Sequence, residues 1–161
     1  MAQPQSRNTT ATQGFSLIEL VIVGAIIAIL NVIAIPTFQR IRSEVHAHKI
    51  ANDFRVLRDA AGFAVGELGE APPDGTPGNF PGEMLPFLPA NAEKPAYADA
   101  RWDWENWRGR NRDFSLGITL RLREDGFDEL FERVDAILDD GDLASGSFRR
   151  ERHFGGYALH L

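Results

Sequence analysis

The chain has no cysteine. That absence excludes a disulfide framework and any zinc–thiolate centre, and it leaves the compartment open. Basic residues are also in short supply, 17 Lys and Arg against 23 Asp and Glu, for a formal charge of −6. A nucleic-acid binder needs a basic stripe, and none is present. No nucleophile elbow, phosphate-binding loop or H-E-x-x-H sequence occurs. His153 and His160 have no evident catalytic partners, so the sequence gives no reason to expect an enzyme. With 161 residues there is room for one modest domain.

Charge is missing most conspicuously from one place. Phe15 to Ile35 is an almost unbroken apolar run, interrupted by the charge of Glu19 and by the polar Ser16 and Asn31. As a helix it rises about 32 Å, enough to cross the hydrocarbon core of a bilayer. It is too long for the apolar region of a secretory signal peptide, and no A-x-A-like cleavage site follows it. The plausible processing site lies before it, where the polar stretch Met1–Gly14, with Arg7 as its one charge, ends at a glycine.

Gly14-Phe15-Ser16-Leu17-Ile18-Glu19-Leu20 closely resembles the GFTLIE signature of prepilins, the precursors of type IV pilins and of type II secretion pseudopilins. VIVGAIIAILNVIAIPTFQ, which follows, is similar to the same family through Pro36 and Phe38. The resemblance covers roughly Gly14 to Arg40. It implies that a prepilin peptidase cuts between Gly14 and Phe15 on the cytoplasmic face and methylates the new α-amino group of Phe15. Loss of the leader removes Arg7 and takes the side-chain charge from −6 to −7.

Glu19 is costly in a membrane, and intramembrane ionisable groups are usually functional. Cleavage creates a positive amine at Phe15, one helical turn away on the same face. The attraction of such a pair is comparable with the cost of burying the carboxylate. The resemblance implies that Glu19 meets the N-terminus of a neighbouring subunit and sets its register. The plainer alternative is a carboxylate that snorkels to the headgroups. Pro36 removes a backbone donor and clashes with the carbonyl of Val32, which predicts a kink there. The resemblance extends this to loosening between Gly24 and Pro36 in the filament.

Beyond the apolar run, Ala47, Ile50, Phe54, Leu57, Ala61, Ala64 and Leu68 recur at steps of three and four, one stripe of an amphipathic helix. Arg42, Glu44, Lys49, Asp53, Arg55, Arg58 and Asp59 form a mixed-charge solvent face. His46 and His48, at i and i+2, point to different faces and read as surface residues. Gly66 and Gly69 weaken the helix, and Pro72-Pro73 end it. Pro72, Pro73, Pro77, Pro81, Pro86, Pro89 and Pro95 mark a long connecting loop, held down by Phe80, Leu85, Phe87 and Leu88. The pilin resemblance makes it the exposed, variable surface.

The rest reads as strands around one short helix. Phe114, Leu116, Ile118, Leu120 and Leu122 alternate with small or polar residues, a half-buried strand. Asp125 caps a helix with an apolar face of Phe127, Leu130, Phe131, Val134, Ile137 and Leu138. Tyr157, Leu159 and Leu161 lie on a last strand, and Arg101–Trp107 (RWDWENW) forms an earlier one with Trp102 and Trp104 on one face. RWDW and DDGDLASGSFR loosely resemble cysteine-free pilin-like heads. The expected fold is therefore α+β and pilin-like: a long N-terminal helix, half of it transmembrane, packed on a small antiparallel sheet. Its parts are a leader (1–14), a transmembrane or filament-core helix (15–35), an amphipathic continuation (36–69) and a globular head (70–161).

Asp103 and Glu105 near three tryptophans invite comparison with glycosidic acid–base pairs. On a strand, however, both face away from Trp102 and Trp104, which favours structural packing. Asp139, Asp140 and Asp142, with Asp135 nearby, form the best candidate cation site. Oxygen-rich acidic turns bind calcium, as the C-terminal loop of major pseudopilins does, but the pattern is not an EF-hand. No other cofactor is expected.

The resemblance implies a structural subunit of a type IV pilus or type II secretion pseudopilus. Its partners would be identical or related pilin subunits, membrane lipid, the prepilin peptidase, and an assembly platform protein with its ATPase. The subunit would wait as a single-pass inner-membrane protein with its head in the periplasm. It would then enter a surface pilus or a periplasmic pseudopilus, and the missing C-terminal disulfide leans towards a pseudopilin or a cysteine-free pilin lineage. The rival is a membrane-anchored binding or enzymatic domain that never polymerises.

Overall fold

A computed structural model describes residues 14–94, 97, 99–108, 115–122, 126–151 and 156–161. The leader up to residue 13, Phe114, Asp125, His153 and the side chains of Tyr157 and Leu159 lie outside the described residues. The elements run α1 (Leu17–Leu68), β1 (Arg101–Asn106), β2 (Leu116–Arg121), α2 (Asp128–Leu138), β3 (Phe148–Glu151) and β4 (Gly156–His160). The chain is α+β, with one long, initially apolar N-terminal helix. It divides into two compact units, Met1–Arg40 and Ile41–Leu161.

In the first unit, every described residue is exposed. Helix α1 runs through both Gly24 and Pro36, so the stretch between them is helical throughout. The Thr37 hydroxyl donates to the Ile33 carbonyl at 2.9 Å, next to the point where Pro36 offers no N–H.

In the second unit, Ala47, Ile50, Phe54, Leu57, Ala61 and Ala64 are buried as their spacing predicts, and Ala51 joins them. Leu68 does not: at 37% exposure it lies beyond the sheet-facing stripe, one residue before Gly69 turns with a positive φ. Phe54 is the centre of this core. Its ring meets Trp102 edge-on at 4.7 Å and Phe148 at 5.0 Å, tying α1 to β1 and β3. Truncating so buried an aromatic costs about 3–5 kcal/mol.

The sheet is four-stranded and antiparallel in the order β1-β2-β4-β3. Trp102 pairs with Leu120 and Trp104 with Ile118, so these apolar side chains share the face turned to α1. Strand β2 is buried on both faces rather than half-buried, because Gly117 and Thr119 are covered as well. The β1 edge is occupied by the proline-rich loop: Gly75 and Gly78 N–H groups donate to the Trp104 and Trp102 carbonyls, each at 2.8 Å. An edge strand that would otherwise be open to foreign pairing is thereby closed.

That loop is a series of tight turns, with the Pro81 and Pro89 carbonyls accepting from Met84 and Ala92. Phe80, Met84 and Leu88 are buried and Phe87 half-buried, whereas Leu85 is exposed. Helix α2 buries Leu130, Phe131 and Val134. Its first flanking residue is Phe127, which makes no side-chain cap. Arg55 of α1 instead supports the other end of α2 by donating to the Ile137 carbonyl.

Candidate functional site

The N-terminal site begins with a fully accessible backbone. A Cβ placed on Gly14 would meet nothing within 4 Å, and Phe15 is 81% exposed. Ser16 precedes the first helical residue, and Glu19 lies in the first turn. The Ser16 N–H donates to Glu19 Oε2 at 2.7 Å, while the Glu19 N–H donates to Ser16 Oγ at 3.3 Å. Helices leave their first N–H groups without internal partners, and this pair satisfies two of them.

Past Glu19 the helix presents Leu20, Val21, Ile22, Val23, Ile26 and Ile27, and the apolar character continues around its circumference to Ile35. A helix hydrophobic on all sides does not remain bare in water. Helix α1 is long and apolar enough to cross a membrane. Gly14, Phe15, Glu19, Gly24 and Pro36 thus stand along one continuous, uncovered segment.

A second site occupies the sheet face opposite the tryptophans. Asp103 and Glu105 do point away from Trp102 and Trp104, but they are buried, at 1% and 2% exposure. Arg121 of β2 reaches both, with Nε 3.1 Å from Asp103 Oδ2 and Nη2 2.7 Å from Glu105 Oε1. The Thr119 hydroxyl donates to Glu105 at 3.3 Å. Burial, reinforced by the charge of Glu105, pushes the Asp103 carboxyl up to about 7 against the pull of Arg121. Burial also raises Glu105, with Arg121 again opposing. The Arg121 side chain draws two carboxylates to one interior charge, an arrangement that organises the sheet face. Both carboxylates are covered, so the arrangement lacks the opening that glycosidic chemistry requires.

The third site lies at the C-terminal end of α2. Carboxylate oxygens of Asp135, Asp139 and Asp140 fall within 4.8 Å of one another. Asp135 is fully buried, and among the described residues neither of its oxygens accepts a well-formed hydrogen bond. Burial first, then the charges of Asp140 and Asp139, push its carboxyl up to about 6, and the Gly141 N–H compensates only in part.

Asp142, expected in this set, stands apart. Its Oδ1 accepts the Ala144 N–H at 3.0 Å, and its own N–H donates to Asp140 Oδ1 at 2.9 Å. It shapes the turn rather than completing the cluster. Asp135, expected beside this set, lies within it, four residues before Asp139 at the end of the helix.

His46 and His48 do not converge: His46 meets the Tyr97 ring at 5.2 Å, and His48 lies 3.8 Å from Glu44. His160 sits 3.4 Å from Glu151 and 5.2 Å, ring to ring, from Trp107. Comparison of the chain with family models, with curated proteins and with solved structures finds no match.

Proposed function

We propose that the chain is a prepilin-type subunit, cut between Gly14 and Phe15 and polymerised through its N-terminal helix into a type IV pilus or type II secretion pseudopilus. The observation that carries this reading is the uncovered apolar segment directly behind Gly14-Phe15-Ser16-Leu17-Ile18-Glu19. Such a surface needs a non-aqueous environment throughout its life. Lipid supplies it while the subunit waits in the inner membrane with its head in the periplasm. Neighbouring helices supply it in the filament, so apolar burial is exchanged rather than lost.

Glu19 supplies specificity that apolar packing lacks. A charge in the filament core is tolerated where an opposite charge meets it, and the methylated Phe15 amine of a neighbouring subunit is that partner. Gly24 and Pro36 are the places where the segment yields when helices pack around a common axis. An assembly platform protein and its ATPase provide the work of extraction from the membrane. Filament formation by this subunit is the test, and a chain that remains a single-pass membrane anchor for its head would refute the reading.

The head carries a candidate calcium site at Asp135, Asp139 and Asp140. What supports it is the buried, only partly compensated Asp135 carboxylate beside two others at the negative end of a helix. A hard divalent cation bound there would neutralise the three charges and secure the turn that leads into β3. Calcium titration of the full chain in detergent, followed by thermal unfolding, tests it.

A further inference from the structure

The Ser16–Glu19 pair does more than end a helix. Ser16 immediately precedes α1 and Glu19 is its third residue, so the two reciprocal hydrogen bonds form a closed capping box. In water, a broken cap is partly replaced by solvent. Hydrocarbon offers no such substitute, so the box carries more weight at a helix end that dips into the membrane.

The box also fixes a direction. A glutamate free on the first turn has three rotatable bonds and reaches the headgroups or the helix flank equally well. With Oε2 held on the Ser16 N–H, the carboxylate is folded back to within one peptide unit of the Phe15 nitrogen. Cleavage between Gly14 and Phe15 leaves both members of the box intact and turns that nitrogen into a cation.

We infer that Ser16 is the positioning residue for Glu19, presenting its carboxylate first to the amine of its own chain. A neighbouring subunit then competes for a carboxylate that is already aimed at the helix start, instead of capturing a mobile one. The assembly consequence rests on the filament reading above, whereas the box itself does not.

The test uses the full chain, before and after peptidase cleavage, in wild-type form and as Ser16→Ala, Ser16→Thr and Glu19→Ala. Amide hydrogen exchange in detergent micelles reads the box, and filament yield reads its consequence. The Ser16 N–H should exchange roughly fivefold faster in Glu19→Ala, the size of a lost cap. Ser16→Ala should be cut and methylated normally yet yield roughly fivefold fewer filaments, with Ser16→Thr restoring them.

Unchanged exchange in Glu19→Ala overturns the box. Wild-type filament yield in Ser16→Ala, or no rescue by Ser16→Thr, overturns the positioning role. Impaired cleavage or membrane insertion of Ser16→Ala would mark a merely structural role and also count against it. A wild-type chain that forms no filaments, yet shows the exchange pattern, refutes the filament reading while supporting the aimed carboxylate.

Discussion

Arg121 Nη2 lies 2.7 Å from Glu105 Oε1, inside a sheet face where Glu105 is only 2% exposed. The same guanidinium holds Asp103 at 3.1 Å. Removing the cation would strand two buried carboxylates, a change that costs about 3–5 kcal/mol where one partner of a buried pair is lost. Arg121→Ala is therefore expected to lower the denaturant midpoint of the head sharply. Glu105→Gln should cost less, since the glutamine keeps an acceptor for Arg121 and Thr119. Equal, small losses in both variants would show that the cluster contributes little.

The raised Asp103 carboxyl makes a directional statement about pH. Its ordinary value is 3.8, and in the fold it is about 7. Between those values the folded chain holds a proton that the unfolded chain has released, so stability falls as pH rises. The contribution is fully present below about 3.8 and lost on passing through 7. Glu105, Asp74 and Arg121 are the charged neighbours that set it. Urea denaturation from pH 4 to 8 should show a shallower decline in Asp103→Asn than in the wild-type chain. An unchanged slope would remove Asp103 as its source.

Gly75 is required by close approach. A Cβ there would lie 2.9 Å from Asp103 Oδ1 and 3.0 Å from the Trp104 carbonyl, the group that accepts the Gly75 N–H. Gly75→Ala must push the loop off the β1 edge or displace Asp103, and a loss of about 1–3 kcal/mol follows. Gly82, around which a Cβ finds open space, is the control. Comparable losses at both positions would contradict the argument.

Calcium should raise the melting temperature of the wild-type chain by several degrees and leave Asp135→Asn unmoved. Asp142→Asn should retain the response, because Asp142 is committed to the turn through Ala144 and Asp140. No shift in the wild-type chain would dispose of the site.

Much of this architecture was legible because it depends on local periodicity. The stripe from Ala47 to Ala64, the apolar face of α2 and the alternating Trp102 and Trp104 all follow from spacing alone. Ser16 three residues before Glu19 is itself a written cap signature. Other features depended on distant partners. Arg121 meets Asp103 and Glu105 only through the register of β1 on β2, which no local pattern specifies. Strand β3, Phe-Arg-Arg-Glu, carries one apolar residue and owes its existence to pairing with β4. Asp135 reads as a residue near the acidic turn, but its burial depends on how the following turn, where Gly141 and Gly146 take positive φ, is folded.

Glu19→Val separates processing from polymerisation. The variant keeps Gly14 and Phe15 exposed for the peptidase, so cleavage should proceed at the wild-type level while filament assembly fails. Gly14→Val should block the earlier step, leaving the head folded but the leader attached. A Cβ added there meets nothing within 4 Å among the described residues, so the obstruction falls on the enzyme. Intact-mass analysis and filament counts distinguish the two. Normal filaments from Glu19→Val would end the proposed role of the carboxylate.

The most direct test is the N-terminal peptide of this subunit in filaments sheared from producing cells, identified by mass spectrometry. The expected peptide begins with N-methylated Phe15 and runs Ser16-Leu17-Ile18-Glu19. A chain that retains the leader through Gly14, or is confined to the membrane fraction with no copy in sheared filaments, would contradict the account.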